Sequence, residues 1–299
     1  MRLHRCHHRA RSERPADRRG GVLIEFALIT LIGYIFIAAL LTFGQYFYSA
    51  QVVQQAADIA ARELSRTPLP ANITFDDLLA DPTNEFSQRI YSEDFLAIDV
   101  TTWANNPGGV TLLEHLDTLG IPIVNKALVP VMFIENVGGT TLLRYPGALI
   151  DRGGTFSVAV PQVLSINGAE TIRWTRVLEE IRAPGEPSAF PLTSPQGGLV
   201  ALRVNYPFQA GAMSAHRPNP GGPFEPTIGS PIEADDANVS VVGGGIPGGG
   251  TPVDPTGGAP AGTFAGIFGL GKQQARGLEL RPYRRVVTAQ SIFRREVFE

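Results

Sequence analysis

From Gly21 to Gly44 the chain carries one carboxylate, Glu25, and no base. At about 1.5 Å per residue, a helix over this run is roughly 36 Å long. A hydrocarbon core is about 30 Å thick, so the run is long enough to cross it with some tilt. A segment of this kind near the N-terminus makes the chain an anchored one and puts everything after Gly44 on one side of the bilayer. Residues 1–20 carry seven arginines against Glu13 and Asp17, a net +5. Such a flank stays cytoplasmic. Beyond the run come Tyr46, Phe47 and Tyr48, aromatics at the expected interface. The expectation is a single-pass protein of the inner (cytoplasmic) membrane, with a cytoplasmic N-terminus and an extracytoplasmic body. A cleaved secretory signal fits less well. Its apolar region would be about 7–15 residues followed by small residues. Here the run is longer, and Tyr48 stands where a small residue is wanted.

Glu25 is costly in lipid, about 2.5–3.5 kcal/mol at a helix centre. Near the helix start the cost is lower, and the helix dipole favours a carboxylate there. One reading is that it snorkels to the headgroups. Another comes from its neighbours. Counted from a cut between Gly20 and Gly21, Glu25 is the fifth residue and Phe26 the sixth. A short basic leader, a glycine and an apolar helix with glutamate at position five resemble a type IV prepilin-class signal. The series Arg19-Gly20-Gly21-Val22-Leu23-Ile24-Glu25-Phe26-Ala27-Leu28, and the later Ala50-Gln51-Val52-Val53-Gln54-Gln55-Ala56-Ala57-Asp58-Ile59-Ala60-Ala61-Arg62, resemble the TadE-like family. These are minor, pseudopilin-like proteins of tight-adherence (Tad/Flp) pilus systems. Leu199–Phe208 and Thr288–Glu296 are similar to that family too, in the right order. The resemblance implies leader removal at Gly20–Gly21 by a prepilin peptidase, with Glu25 and Phe26 in the recognised stretch. It also implies the membrane and other pilus subunits as partners. Glu25 would then face the new amine at Gly21, in a neighbour or in its own chain. The sequence departs from the family in its first mature residue, a glycine, and in its long body.

The overall charge of −3 hides an acidic body. Beyond the leader, 18 Lys and Arg stand against 26 Asp and Glu, and only Lys126 and Lys272 are lysines. That argues against a nucleic-acid groove. The single cysteine, Cys6, lies in the leader, so the body has no disulfide and no thiolate site. Outside the leader the histidines are His115 and His216. There is no G-x-S-x-G, no H-E-x-x-H and no C-x-x-C. No catalytic site, cofactor, metal or small-molecule substrate is expected. His4, His7 and His8 read as solvated leader residues. Gly266 to Lys272 spells G-x-x-x-x-G-K, but Gln273 follows where a P-loop needs Ser or Thr, and a Gly/Pro tract precedes it.

The helix is expected to continue over residues 45–67, where Ala, Gln, Glu and Arg dominate before Pro68 and Pro70. Val52, Val53, Ala56, Ala57, Ala60 and Leu64 recur at three and four, a stripe for packing on the chain's own sheet or on neighbouring subunits. Asp58 and Arg62 are placed for an i, i+4 pair. Residues 68–210 read as the α+β body. Phe75–Leu79, Phe86–Phe95 and Leu112–Leu119 are amphipathic, and strands follow from 129 onward. The clearest strand alternates Val200, Leu202, Val204, Tyr206 and Phe208 with Ala201, Arg203 and Asn205, one face buried and one wet. Residues 211–271 change character, with 15 Gly and 9 Pro in the first sixty. That composition predicts a flexible insertion. Residues 272–299 return to strand composition, with a basic cluster Arg281, Arg284, Arg285, Arg294 and Arg295 read as a solvated edge or an acidic partner's dock.

The fold class expected is therefore α+β. A long N-terminal transmembrane helix (21–44) continues into a pilin-like domain with an antiparallel sheet and a Gly/Pro-rich insertion. The function expected is that of an assembly subunit. The alternative is an uncleaved, signal-anchored binding or adhesion module.

Overall fold

The computed structural model describes residues 19–81, 83–105, 110–137, 139–152, 155–166, 169–183, 185–208, 240–241, 273–275, 278–280, 282–283 and 285–296. The chain divides into two units, Met1–Gly44 and Gln45–Glu299. The described part of the first is helical, the start of α1 (Arg19–Arg66). Its large apolar side chains, from Val22 to Phe43, are all exposed. Thr42 does not break the run, because its Oγ1 donates to the Ala38 carbonyl at 2.8 Å.

In the second unit α1 continues to Arg66 and then stops against Pro68. Carbonyls of the last turn need partners outside the helical ladder. Ser65 Oγ donates to Arg62 O at 2.7 Å, and Thr67 Oγ1 donates to Glu63 O at 2.8 Å. Short helices follow: α2 (Phe75–Ala80), α3 (Thr101–Asn105), α4 (Leu112–Thr118) and α5 (Ile123–Leu128). Thr74 with Asp77, and Thr111 with Glu114, close reciprocal caps on α2 and α4. The expected single segment Phe86–Phe95 is two turns broken at Tyr91–Ser92, one over Phe86–Ile90 and one over Glu93–Leu96. The break is held by Asn125, fully buried, which accepts from Ser92 N and donates to Ser92 O. A strand missed in this mainly helical stretch, β1 (Ala97–Asp99), is too short to show a period.

The other strands are β2 (Phe133–Val137), β3 (Thr140–Arg144), β4 (Ala148–Arg152), β5 (Thr155–Ile166), β6 (Ala169–Arg176), β7 (Leu178–Glu180), β8 (Leu199–Pro207), β9 (Ser240–Val241), β10 (Gln273–Ala275), β11 (Leu278–Leu280) and β12 (Val286–Arg294). They form antiparallel sheets in the orders β1-β3-β2, β6-β5-β4-β9 and β12-β8-β7, with β10 beside β11. The α+β class holds. Most of residues 211–271 lie outside the described residues. The two that are described, Ser240 and Val241, pair with Asp151 and Ile150 of β4.

β8 and β12, separated by that insertion, are paired along their whole length from Pro207–Val286 to Leu199–Arg294. Val200, Leu202, Val204 and Tyr206 of β8, with Val287 and Ala289 of β12, join the second half of α1 in one core. The expectation of a wet face on β8 fails. Ala201 is buried, and Asn205 is 0 % exposed. Asn205 Nδ2 donates to Arg176 O at 2.8 Å and to Glu179 Oε1 at 3.0 Å, and its Oδ1 accepts from Thr288 Oγ1 at 3.0 Å. A polar residue between apolar ones reads as exposed. Here its full set of partners makes burial affordable.

Candidate functional site: the N-terminal helix

Gly20 and Gly21 lie in the first turn of α1, directly after Arg19. A first turn has unsatisfied N–H groups and frays readily, so this peptide bond is in the least protected part of the helix. Glu25 lies four residues after Gly21, on the same face and one turn along. Its side chain is exposed, and Phe26 is 69 % exposed.

The stripe farther along has the opposite fate. Val52, Val53, Ala56, Ala57, Ala60 and Leu64 are all buried within the single chain, five of them completely. Ala61 is buried with them and extends the same spacing four past Ala57. Small side chains let the helix backbone approach the sheet closely. The stripe is therefore taken up by the chain's own core. Gln51, Gln54, Gln55, Asp58 and Arg62 form the exposed face. Asp58 accepts from Gln54 Nε2 at 3.1 Å, on the turn away from Arg62.

The C-terminal strand is tied to this helix. Gln54 Nε2 donates to Gln290 O at 3.1 Å, and Glu296 N donates to Ser65 O at 2.7 Å. Within the basic cluster, Arg281 and Arg284 lie outside the described residues, while Arg285 and Arg294 are exposed. Arg295 departs from the solvated reading, being 6 % exposed. Its guanidinium donates to Leu69 O, Phe190 O and Pro70 O at 2.9, 3.3 and 3.4 Å, and sits 4.7 Å from the Phe190 ring centroid. Burial lowers its pKa. The shift leaves it cationic, because arginine does not deprotonate in proteins.

Other titratable groups serve the core. Tyr145 donates its hydroxyl to Asn205 O and meets Tyr206 edge-on at 5.8 Å. Burial pushes the phenols of Tyr91, Tyr145, Tyr206 and Tyr283 up, so they stay neutral. His115 is half-buried on α4. Among the described residues no group of His, Cys, Asp and Glu is placed to hold a metal ion. Trp174 is buried, and Trp103 is partly buried with its Nε1 donating to Val110 O at 3.1 Å. His216 and Lys272 lie outside the described residues.

These features define a class first: an α+β protein whose long, apolar and unburied N-terminal helix, the one such helix among the described residues, supports a single-pass membrane protein. The comparison with known families then narrows it. Residues 20–62 match the family model of the TadE-like protein. The match begins at Gly20, takes in Glu25 and ends at Arg62 within α1, so it covers the helix and none of the sheets. It falls where the resemblance was strongest in the sequence, and supports a membrane-anchored protein associated with a Tad pilus. No curated protein and no solved structure matches the chain.

Proposed function

We propose that the chain is a minor pilin or pseudopilin that takes part in assembling a tight-adherence pilus or a related secretion apparatus. The observation that carries this reading is the family match over α1, on a helix whose N-terminal half is apolar and exposed. In this reading the N-terminus is cytoplasmic in the inner membrane, and a prepilin peptidase cuts between Gly20 and Gly21. Glu25 and Phe26 belong to the stretch it recognises, and other pilus subunits pack on the exposed helix. The role is structural, not enzymatic.

Glu25 acquires its partner only after processing, when an amine exists at Gly21. Two charges buried apart in lipid are each costly; paired, they offset much of each other's desolvation. Such a pair sets the depth of one helix against another more than it adds stability. In-membrane crosslinking tests this. Glu25→Ala should keep its membrane level, because the run becomes more apolar. It should also keep most leader removal and lose crosslinks to other pilus subunits. Glu25→Gln should behave alike, since shape without charge does not restore the pair. Wild-type crosslinking yield in the alanine variant would refute the pairing. Failure of the wild-type chain to crosslink or co-purify with any pilus subunit would favour the anchored adhesion module.

A further inference from the structure

The sheet β1-β3-β2 ends on one side at β2. The hydrogen bonds of β3 show which main-chain groups of β2 are left over. Val100 N donates to Thr141 O at 2.9 Å, and Tyr145 N donates to Leu96 O at 2.8 Å. The main chain of Thr141 and Tyr145 therefore turns toward β1. That of Thr140, Leu142 and Arg144 turns toward β2, because successive residues of a strand aim their N–H and C=O groups to opposite sides. The residues opposite these three are Val137, Glu135 and Phe133. Ile134 and Asn136, between them, aim their N–H and C=O groups outward. Among the described residues no bond reaches those groups.

The side chains at this edge are apolar. Ile134 is 62 % exposed and Phe133 51 %. Across the sheet Ile134 stands opposite Leu143, which stands opposite Ile98. Leu143 and Ile98 are buried in the core. One apolar row thus leaves the core and ends uncovered at the edge. β2 carries none of the residues that blunt an edge, with no lysine, no arginine and no proline. Its one charge, Glu135, is paired with Arg144 of β3 at 3.4 Å.

We infer that β2 pairs antiparallel with β2 of a second copy of this chain, Ile134 standing opposite Ile134 of that copy. Outward groups must meet outward groups, so a two-fold pairing centres on Ile134, on Glu135 or on Asn136. Centring on Glu135 sets two carboxylates directly opposite, with Cα atoms about 4.5 Å apart, and like charges so placed repel. Centring on Asn136 sets Ile134 against Gly138, which has no side chain to pack. Centring on Ile134 gives a reciprocal pair of N–H···O=C bonds at the axis. It places Glu135 opposite Phe133 and leaves each Glu135 with its own Arg144. The apolar row then continues from Ile98, Leu143 and Ile134 into the same residues of the second copy. Such a contact is isologous and closes as a dimer. It involves residues of the second unit alone.

Disulfide trapping tests the pairing. The full chain with Cys6→Ser is given one cysteine, by Ile134→Cys, Asn136→Cys or Leu113→Cys, the last at an exposed position on α4. Lysed cells producing each variant, membranes included, are oxidised with copper–phenanthroline. The product is sized on a non-reducing gel and by mass. A hydrogen-bonded antiparallel pair holds its Cα atoms about 5.5 Å apart, within disulfide reach. Ile134→Cys should give a species of two chains several-fold faster than Asn136→Cys or Leu113→Cys. Adding Asn136→Pro to Ile134→Cys removes an outward N–H, which faces Met132 of the second copy, at an edge where proline is tolerated. Closure should then slow several-fold with thermal unfolding unchanged. Closure at 134 no faster than at 113, fastest closure at 136, or a trapped partner other than a second copy overturns the inference. So does a proline variant that closes as fast as Ile134→Cys alone, since a collision of side chains does not need the main chain.

Discussion

Replacing Arg295 by methionine isolates what a buried cation does at the seam between the chain's end and the α1 exit. Methionine keeps much of the stem and removes every donor. Three carbonyls, of Leu69, Pro70 and Phe190, then lose a partner. A hydrogen bond to a charged group is worth about 1.5–3 kcal/mol. The bond to Leu69 O, at 2.9 Å, is well formed, and the other two, at 3.3 and 3.4 Å, are long. The contact with Phe190 adds roughly 0.5–2 kcal/mol. Desolvation of the guanidinium works against these gains. The net expected loss is about 3 kcal/mol. In a body spanning Gln45–Glu299, 1 kcal/mol moves Tm by about 2–4 °C. Arg295→Met should therefore melt about 6–12 °C early. The assay is thermal unfolding of the full chain in detergent, followed by the fluorescence of Trp103 and Trp174. Arg294→Met is the control: the side chain is exposed, and the change should stay within about 0.5 kcal/mol. If the two variants melt together, or Arg295→Met matches wild type, Arg295 is not a structural clamp and the solvated reading of the cluster returns.

Gly197→Ala should destabilise by about 1–3 kcal/mol or more, since its new Cβ would stand 2.4 Å from Leu192 O, a backbone atom; an unchanged Tm would show that this loop yields. Ala57→Leu overpacks a fully buried position on α1 and should cost about 1–3 kcal/mol, whereas Gln55→Leu on the exposed face should leave the melt unchanged. Removing residues 211–271 should preserve a cooperative transition, because β8 and β12 pair without it and shortening a closed loop carries little entropic penalty. A broad, non-cooperative melt would show that the tract is part of the core.

The helix was legible because its signals are local. Twenty-four residues nearly free of charge, then an alanine-rich period of three and four, then two prolines need no tertiary context. The alternation of β8 was legible for the same reason. What the sequence hid depends on distant partners. Arg295 sits among arginines, and the carbonyls that bind it come from Leu69, Pro70 and Phe190, each more than a hundred residues away. Asn205 reads as the wet side of an amphipathic strand until Arg176, Glu179 and Thr288 converge on it. The pairing of β8 with β12 skips the insertion, which no periodicity reports. For the stripe on α1, spacing alone put both the chain's own sheet and neighbouring subunits in view; within the chain its residues are buried in the core, a destination that depends on sheet strands far along the sequence.

The mature N-terminus tests the central proposal most directly. The chain is recovered from membranes of cells carrying the pilus system, and the mass of its N-terminal peptide is measured. Processing by a prepilin peptidase gives a chain that begins at Gly21, with Glu25 four residues on. A chain that still begins at Met1, or one cut after the apolar run near Ser49, contradicts the pseudopilin reading.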